Sequence, residues 1–87
     1  MKIRHILVAH QHEAEDILKL LSYGKSFSAL AKKFSICPSG ANGGNLGDIS
    51  NKNMDQDFAD AAKVLLPGQY SGVVRTKQGY HILQKIE

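Results

Sequence analysis

The sequence contains a single cysteine, Cys37, and this scarcity excludes several classes of small protein. One thiol cannot form an intramolecular disulfide framework or supply a four-cysteine zinc site. No apolar run approaches the roughly 18 residues that a membrane span requires. The first apolar stretch ends at Ala9, and no small-residue cleavage site of a signal peptide follows it. We therefore predict a location in the cytoplasm, where a free thiol stays reduced.

Clusters of basic residues are also missing. The formal net charge is +3, but lysine and arginine are spread along the chain, and Lys32-Lys33 is their only adjacent pair. A nucleic-acid footprint is normally clustered and accompanied by a recognition motif, so we expect no nucleic-acid partner. The glycine-rich stretch of residues 38–47 contains neither of the two common phosphate-binding glycine motifs, so the sequence gives no support for phosphate binding there.

The length and composition predict one folded domain that covers residues 1–87. The chain is shorter than the roughly 150 residues of a typical domain, which leaves room for one core and one site. With 43% hydrophobic and 22% charged residues, it is neither disordered nor collagen-like. Because Met1 directly precedes the first predicted strand, we expect a stand-alone chain, and we expect it to be a monomer.

Two apolar patterns predict helices in the first half of the chain. The first pattern follows helical spacing and consists of Ala14, Ile17, Leu18 and Leu21. Gly24 is a stop signal for this helix, and Ser26 can cap the next one. The apolar face of the second helix consists of Phe27, Leu30, Ala31 and Phe34. The glycine-rich residues 38–47 then predict a long irregular loop, a kind of segment that is often functional.

A third helix is predicted to begin at Asn53, which forms a plausible capping pair with Gln56, and to end at Pro67-Gly68. Its apolar face consists of Met54, Phe58, Ala61, Ala62 and Leu65. Met54 and Phe58 lie one turn apart, so they belong either to the core or to an open pocket beside Leu46. Helical periodicity does not distinguish these two alternatives.

The remaining segments predict strands. Residues 3–8 are apolar and β-branched, as expected of a strand that is covered on both faces. A short strand is expected at residues 48–50, and residues 70–75 and 80–86 are typical of two strands joined by a turn at residues 77–79. A closing hairpin favours an antiparallel sheet with helices packed on it, which is an α+β domain.

Two histidines occur in matching contexts, His5-Ile6-Leu7 in the first predicted strand and His81-Ile82-Leu83 in the last. A single histidine among apolar strand residues usually satisfies a hydrogen bond in the core. However, first and last strands are often neighbours in small sheets, so the two imidazoles could meet. Such a pair would fix the tautomer of each ring and could form the polar floor of a cleft.

Cys37 and the other histidines leave several alternatives open. A free cysteine is most often a small buried hydrophobic residue, although Cys37 could also be a nucleophile, a redox thiol or part of a pocket wall. A nucleophile needs a base and an oxyanion hole, and the sequence suggests only the base. His10-Gln11-His12 could bind a metal, but no carboxylate or thiol partner is identified, so we favour a solvated loop.

The motifs of the chain resemble those of the parvulin-type peptidyl-prolyl cis/trans isomerases over nearly its whole length. The matching blocks are His5-Ile6-Leu7-Val8, Phe27-x-x-Leu30-Ala31, Ser35-x-Cys37-Pro38-Ser39, Gly43-Gly44-Asn45-Leu46-Gly47, Met54-x-x-x-Phe58 and Gly79-Tyr80-His81-Ile82. No block is specific by itself, but their order and spacing are. The chain is most similar to the small, stand-alone bacterial parvulins of the cytoplasm.

This resemblance implies a fold, an activity and a set of site residues. The fold would be a four-stranded antiparallel sheet surrounded by helices, as in parvulins and FKBP-like domains. The activity would be non-covalent rotation about X-Pro bonds in proline-containing peptides and unfolded protein chains, without a metal or another cofactor. The implied catalytic residues are His5, Cys37, Thr76 and His81. The residues implied to hold the proline ring are Leu46, Met54 and Phe58.

The sequence departs from the family pattern at several positions. Asn45 replaces a common Asp, which changes the local hydrogen bonding expected of the loop. Asp55 stands where Gln is frequent, at the edge of the pocket, and Gln78 stands where Phe is frequent. Residues 9–16, where phosphate-directed relatives carry a basic cluster, contain no lysine or arginine, so a phosphorylated substrate is not predicted.

The alternative functions are a non-catalytic proline-peptide-binding module or chaperone domain and, from a third class, a thiol-redox or metal protein.

Overall fold

The computed structural model describes residues 1–48 and 55–87 and shows an antiparallel sheet with helices on both faces. Its strands are β1 (Lys2–Val8), β2 (Asn45–Asp48), β3 (Val74–Thr76) and β4 (Gly79–Lys85). Its α-helices are α1 (Gln11–Ser22), α2 (Phe27–Phe34) and α3 (Gln56–Lys63), and a 3₁₀ helix at Pro38–Asn42 follows α2. The predicted α+β class and four-stranded antiparallel sheet are confirmed.

The strand order β2-β1-β4-β3 places the first and last strands side by side in the centre of the sheet. β1 and β4 are paired in one uninterrupted antiparallel register. In this register His5 lies opposite Leu83, and His81 lies opposite Leu7. Because alternate residues of a strand share a face, the two histidines are diagonal neighbours on the same face of the sheet.

The two faces of the sheet carry separate apolar clusters. One cluster packs β1 and β4 against α1 and α2, and it contains Ile6, Val8, Ala14, Ile17, Leu21, Phe27, Leu30, Ala31 and Ile82. The other packs against α3 and contains Ile3, Phe58, Ala62, Leu65 and Leu83. Since His5 and His81 each precede a residue of the first cluster, they point to the opposite face, beside the α3 cluster.

The two helices predicted in the first half of the chain are confirmed. Ser26 caps α2, since its hydroxyl oxygen accepts a hydrogen bond from the Ala29 backbone N–H at 3.2 Å. α1 begins earlier than its apolar pattern indicates, at Gln11, with His10 as the N-cap residue. Among the residues described, no helix is long and apolar enough to cross a membrane.

Residues 38–47 do not form the predicted irregular loop. They contain the 3₁₀ helix and the start of β2, which begins at Asn45 rather than near Asp48. Gly43 and Gly44 adopt φ angles of 70° and 81°, a left-handed conformation that glycine reaches without strain and that turns the chain toward β1. Residues 49 and 50 of the predicted strand lie outside the described part of the chain.

The third helix is shorter than predicted. Its N-cap is Asp55, whose Oδ1 accepts a hydrogen bond from the Asp57 backbone N–H at 3.0 Å. The predicted cap, Asn53, lies outside the described residues. The helix ends at Lys63, before it reaches Pro67. Since a proline and the residue that precedes it both disfavour helical backbone, the helix could not extend through residues 66 and 67.

The third strand is also shorter than predicted. Of residues 70–75, only the last two belong to β3, and Tyr70 forms an isolated bridge with Gln84. Between these two points the Ser71 hydroxyl accepts a hydrogen bond from the Leu83 backbone N–H at 3.0 Å. A side chain thus takes the place of a backbone acceptor, and the ladder is interrupted there. The predicted hairpin turn does join β3 to β4.

Candidate active site

The predicted histidine pair forms at the centre of the sheet. His5 Nδ1 and His81 Nδ1 lie 3.1 Å apart, within hydrogen-bonding distance. Both side chains are buried. The Phe58 ring packs edge-on against both imidazoles, with centroid distances of 5.9 Å to His5 and 5.3 Å to His81. Two rings that meet through one Nδ1–Nδ1 contact share a single proton there.

Hydroxyl and thiol groups extend this contact on both sides. His5 Nε2 lies 2.9 Å from Ser39 Oγ, and the Ser39 hydroxyl donates to Cys37 Sγ at 3.3 Å. On the other side, Thr76 Oγ1 lies 2.7 Å from His81 Nε2. The structure therefore brings the four predicted catalytic residues into one hydrogen-bonded chain, with Ser39 as an additional member.

One assignment of donors and acceptors satisfies every group with both imidazoles neutral. In this assignment the Ser39 hydroxyl donates to Cys37, and its oxygen accepts the proton of His5 Nε2. His5 Nδ1 then accepts from His81 Nδ1, and His81 Nε2 accepts from the Thr76 hydroxyl. Every member of the chain has a partner while both rings are neutral, so the arrangement needs no charged histidine.

Burial keeps both imidazoles neutral at pH 7. Loss of hydration, with a smaller contribution from neighbouring His81, lowers the pKa of His5 from 6.5 to about 4. Loss of hydration also lowers the pKa of His81, although the Asp55 carboxylate opposes this shift. The histidine pair is therefore a polar surface without net charge.

Stability should depend on pH through this pair. A histidine in the unfolded chain has a pKa of about 6.5 and binds a proton more readily than buried His5, whose pKa is about 4. The free energy of unfolding should therefore be highest above pH 6.5 and should decrease as the pH falls toward 4. The decrease due to His5 should reach up to about 3 kcal/mol. Urea denaturation in a pH series measures this decrease in the free energy of unfolding.

One histidine variant tests the origin of this pH dependence, and a second serves as its control. His5→Asn should make the decrease shallower, because the buried titrating group is absent. His12→Gln should preserve it, because this side chain is exposed on α1 and is solvated in both states. A His5→Asn variant with the same pH slope as the parent chain would contradict the assignment.

An open cleft of about 700 Å³ lies beside the histidine pair. Its lining residues are His5, Cys37, Leu46, Asp55, Phe58, Thr76, Lys77, Gln78 and His81. Leu46 on β2 and Phe58 on α3 supply its apolar wall, and Phe58, at 4% exposure, also belongs to the core. The sequence left open whether Phe58 belongs to the core or to a pocket wall, and in the structure it belongs to both. Met54, the third residue predicted to hold the proline ring, lies outside the described residues.

Four residues of the site were not among the predicted site residues: Ser39, Asp55, Lys77 and Gln78. Ser39 follows Cys37 by two positions in a family block, and this spacing was the signal available for it. The sequence marks Asp55 as a departure from the family pattern at the edge of the pocket, without a role, and Gln78 as a departure in the last block. Lys77 lies in the turn between β3 and β4. Turn residues are usually solvated, so nothing in the sequence points Lys77 toward a cleft.

His10 and His12 lie away from the cleft. Both side chains are exposed, as predicted, but Gln11 and His12 belong to the first turn of α1 rather than to a loop. The His12 ring stacks on that of His10, with centroids 5.5 Å apart. Within residues 1–48 and 55–87, no group of three or more histidine, cysteine or acidic side chains is placed to hold a metal ion.

The fold and the site together define a class of domain: an antiparallel sheet that presents paired histidines to an apolar cleft. Residues 5–87 match the rotamase family of PPIC-type PPIase domains. The chain belongs to this family, the parvulins, as its resemblance indicated.

Similar proteins include both longer chains and one of nearly the same size. Foldase protein PrsA of Caldanaerobacter subterraneus subsp. tengcongensis is 45% identical over 85 residues, which are 97% of this chain and 28% of that protein. A crystal structure of peptidylprolyl isomerase PrsA from Bacillus cereus has a TM-score of 0.96 at 38% identity, covering 100% of this chain and 34% of that one. The solution structure of NmPin, the parvulin of Nitrosopumilus maritimus, has a TM-score of 0.88 at 39% identity, covering 100% of this chain and 95% of that one. The chain thus spans about a third of the PrsA chains that it matches.

Proposed function

We propose that the chain catalyses cis/trans isomerisation of X-Pro bonds in peptides and unfolded protein chains. The observation that carries this proposal is the open cleft, in which the apolar wall of Leu46 and Phe58 adjoins a neutral histidine pair. A proline ring is apolar and fits such a wall, while its amide would face the polar floor. Family membership and the name of the similar Bacillus cereus structure, a peptidylprolyl isomerase, support the same function.

The proposed reaction is a rotation, which needs neither a nucleophile nor a metal. Its barrier is ~18–20 kcal/mol because twisting breaks the amide resonance. The uncatalysed rotation takes tens to hundreds of seconds. Acceleration to milliseconds requires a factor of about 10⁴ to 10⁵, or ~5.5–7 kcal/mol. Only interactions that are stronger with the twisted amide than with the planar amide contribute to this factor.

The residues of the cleft would contribute in different ways. A twisted amide has less charge separation than a planar one, so apolar surroundings at Leu46 and Phe58 favour the twisted form. Burial of an apolar group the size of the proline ring contributes ~1.5–3 kcal/mol and anchors the ring. Cys37 Sγ accepts from Ser39, which leaves the thiol hydrogen free for the substrate carbonyl. The histidine pair would hold Ser39 and Thr76 in position without exchanging a proton with the substrate.

We further propose that the activity does not require a phosphorylated residue before proline. The connection between β1 and α1 has two residues, and neither is lysine or arginine. Among the described residues that line the cleft, Lys77 is the only cation, and Asp55 is an anion. Arginine forks are the side chains that bind phosphate in a bidentate way, and none lines this cleft. The cytoplasmic location and the monomeric state stay predictions.

Isomerisation of X-Pro tetrapeptides, followed by exchange NMR, tests the proposed function. We expect catalytic amounts of the chain to increase the exchange rate of an Ala-Pro peptide. Shift changes without faster exchange would contradict catalysis and favour the alternative, a non-catalytic proline-peptide-binding module. Phosphoserine before proline should not increase kcat/KM, and an increase of about tenfold or more would contradict phosphorylation independence.

Cys37 should be replaceable without loss of the reaction. Cys37→Ser and Cys37→Asp should each retain kcat/KM within about 100-fold, equivalent to ~2.7 kcal/mol, because the proposed rotation forms no bond to sulfur. Serine keeps a hydroxyl in place of the thiol, and aspartate keeps a polar side chain there that cannot attack as a thiolate. A larger loss in both variants, with unchanged thermal unfolding, would contradict the non-covalent mechanism.

A further inference from the structure

The cleft contains two charged side chains on different elements. Asp55 is the N-cap residue of α3, and Lys77 lies in the turn between β3 and β4. In the described part of the chain, the salt bridges are Met1–Asp48 and Lys2–Glu87, so Asp55 and Lys77 are not paired with each other. Within the described residues, neither charge is neutralised by a salt bridge, and both side chains line the cleft.

The carboxylate is the better fixed of the two charges. Asp55 Oδ1 accepts the Asp57 backbone N–H at 3.0 Å, which holds the side chain in one position at the start of the helix. Asp55 is half-buried, whereas Lys77 is exposed on a turn. A fixed, partly desolvated charge interacts more strongly with a ligand than a mobile charge in water.

Among residues 1–48 and 55–87, no positive charge on the floor of the cleft compensates this carboxylate. His81 is the floor residue on which the charge of Asp55 acts, and burial keeps its imidazole neutral. The other floor groups, those of His5, Cys37 and Thr76, are uncharged in the hydrogen-bonded chain described above. The side of the cleft next to α3 is thus negative.

We propose that Asp55 determines substrate specificity, by favouring peptides that have lysine or arginine directly next to the proline and disfavouring those with an acidic residue there. This inference rests on the proposed function, since it concerns the substrates of the same cleft. The position of the charged residue, before or after proline, follows from the direction in which the peptide lies. Lysine and glutamate are therefore compared on both sides of the proline.

Asp55→Asn is a sharp test because asparagine is an equally good N-cap residue and retains a side-chain oxygen for the Asp57 N–H. The variant removes the charge and preserves the cap. Asp57→Asn is the matched control, because it removes the same charge from the same helix, two residues away and outside the lining of the cleft. Thermal unfolding of both variants monitors the fold.

The measured quantity is the ratio of kcat/KM for lysine-containing over glutamate-containing peptides, with an Ala-Pro peptide as the neutral reference. The parent chain should favour lysine, and Asp55→Asn should reduce the ratio about three- to tenfold, the effect expected of one partly exposed charge. Asp57→Asn should leave the ratio unchanged. Increasing the NaCl concentration should also reduce the parent ratio, since salt screens charges at the mouth of a cleft.

The inference is overturned if Asp55→Asn keeps the parent ratio at both peptide positions, or if Asp57→Asn changes it equally. The Ala-Pro peptide separates this outcome from failure of the proposed function. Faster Ala-Pro exchange without a lysine preference would leave the isomerase function in place and refute the role of Asp55. If no peptide isomerises faster, the function fails, and NMR titration with the same peptides still decides the inference through the ratio of Kd values.

Discussion

Replacing Phe58 with alanine should decrease the free energy of unfolding by about 3–5 kcal/mol. This side chain is almost fully buried, packs edge-on against both imidazoles and belongs to the cluster under α3. The loss is a large share of the about 4–13 kcal/mol expected for a domain of this length. The change also removes the aromatic part of the cleft wall, so kcat/KM for X-Pro peptides should fall about 10- to 100-fold. Urea denaturation and exchange NMR measure the two effects.

Two further substitutions separate the structural and functional roles of Phe58. Phe58→Leu retains most of the buried volume and should recover much of the stability, but it lacks the flat ring beside the histidines. Phe34→Ala makes the same truncation on α2, where the ring is 38% exposed and does not line the cleft. We expect it to cost less stability and to leave kcat/KM unchanged. Equal losses of stability in Phe58→Ala and Phe34→Ala would refute the central position assigned to Phe58.

Replacing Gly44 with alanine should also destabilise the domain strongly, by about 3–4 kcal/mol. A Cβ atom at this position would collide with the His5 carbonyl oxygen, and the φ angle of 81° is unfavourable for alanine. The Gly44 carbonyl also accepts the His5 backbone N–H at 2.9 Å. Relief of the steric clash would therefore displace the strand that carries one imidazole of the pair. Thermal and urea unfolding measure the loss.

Gly47→Ala is the matched control for this prediction. Gly47 has a similar φ angle of 71°, but among the described residues no atom beyond its chain neighbours lies within 4 Å of the position that its Cβ would occupy. This variant should lose only the conformational preference of glycine, about 1 kcal/mol. If Gly44→Ala were no less stable than Gly47→Ala, the close approach of Gly44 to His5 would have no energetic importance.

The accuracy of the sequence predictions differs between local and long-range features. The helix after Ser26 was predicted well because its cap and its apolar spacing lie within a few residues of each other. The start of β2 was predicted too late, because it depends on left-handed turns at Gly43 and Gly44 that bring the chain to β1. The interruption before β3 was also missed, since it arises from a bond between Ser71 and a distant strand.

The candidate site shows the same contrast. The matching contexts of His5 and His81 led to a predicted pair because first and last strands are often neighbours, and β1 and β4 are neighbours here. The family resemblance implied that Thr76 hydrogen-bonds to the histidines, and it lies 2.7 Å from His81 Nε2. The connection from His5 through Ser39 to Cys37 was not predicted, because its distances depend on how the 3₁₀ helix meets the sheet. Asp55 was expected at the edge of the pocket and lines the cleft, whereas Lys77 was not recognised as a cleft residue for the same reason.

From its amino acids alone, this chain could be assigned to the parvulins, to an α+β fold with helices of known apolar faces, and to a short set of candidate site residues. These properties follow from local spacing and from the order of motifs. Only the three-dimensional arrangement showed that Phe58 serves core and cleft together, that both imidazoles are neutral, and that a fixed carboxylate lies at one side of the cleft. Burial, hydration and charge compensation depend on atoms from distant parts of the chain, so they are decided when the sheet and helices pack together.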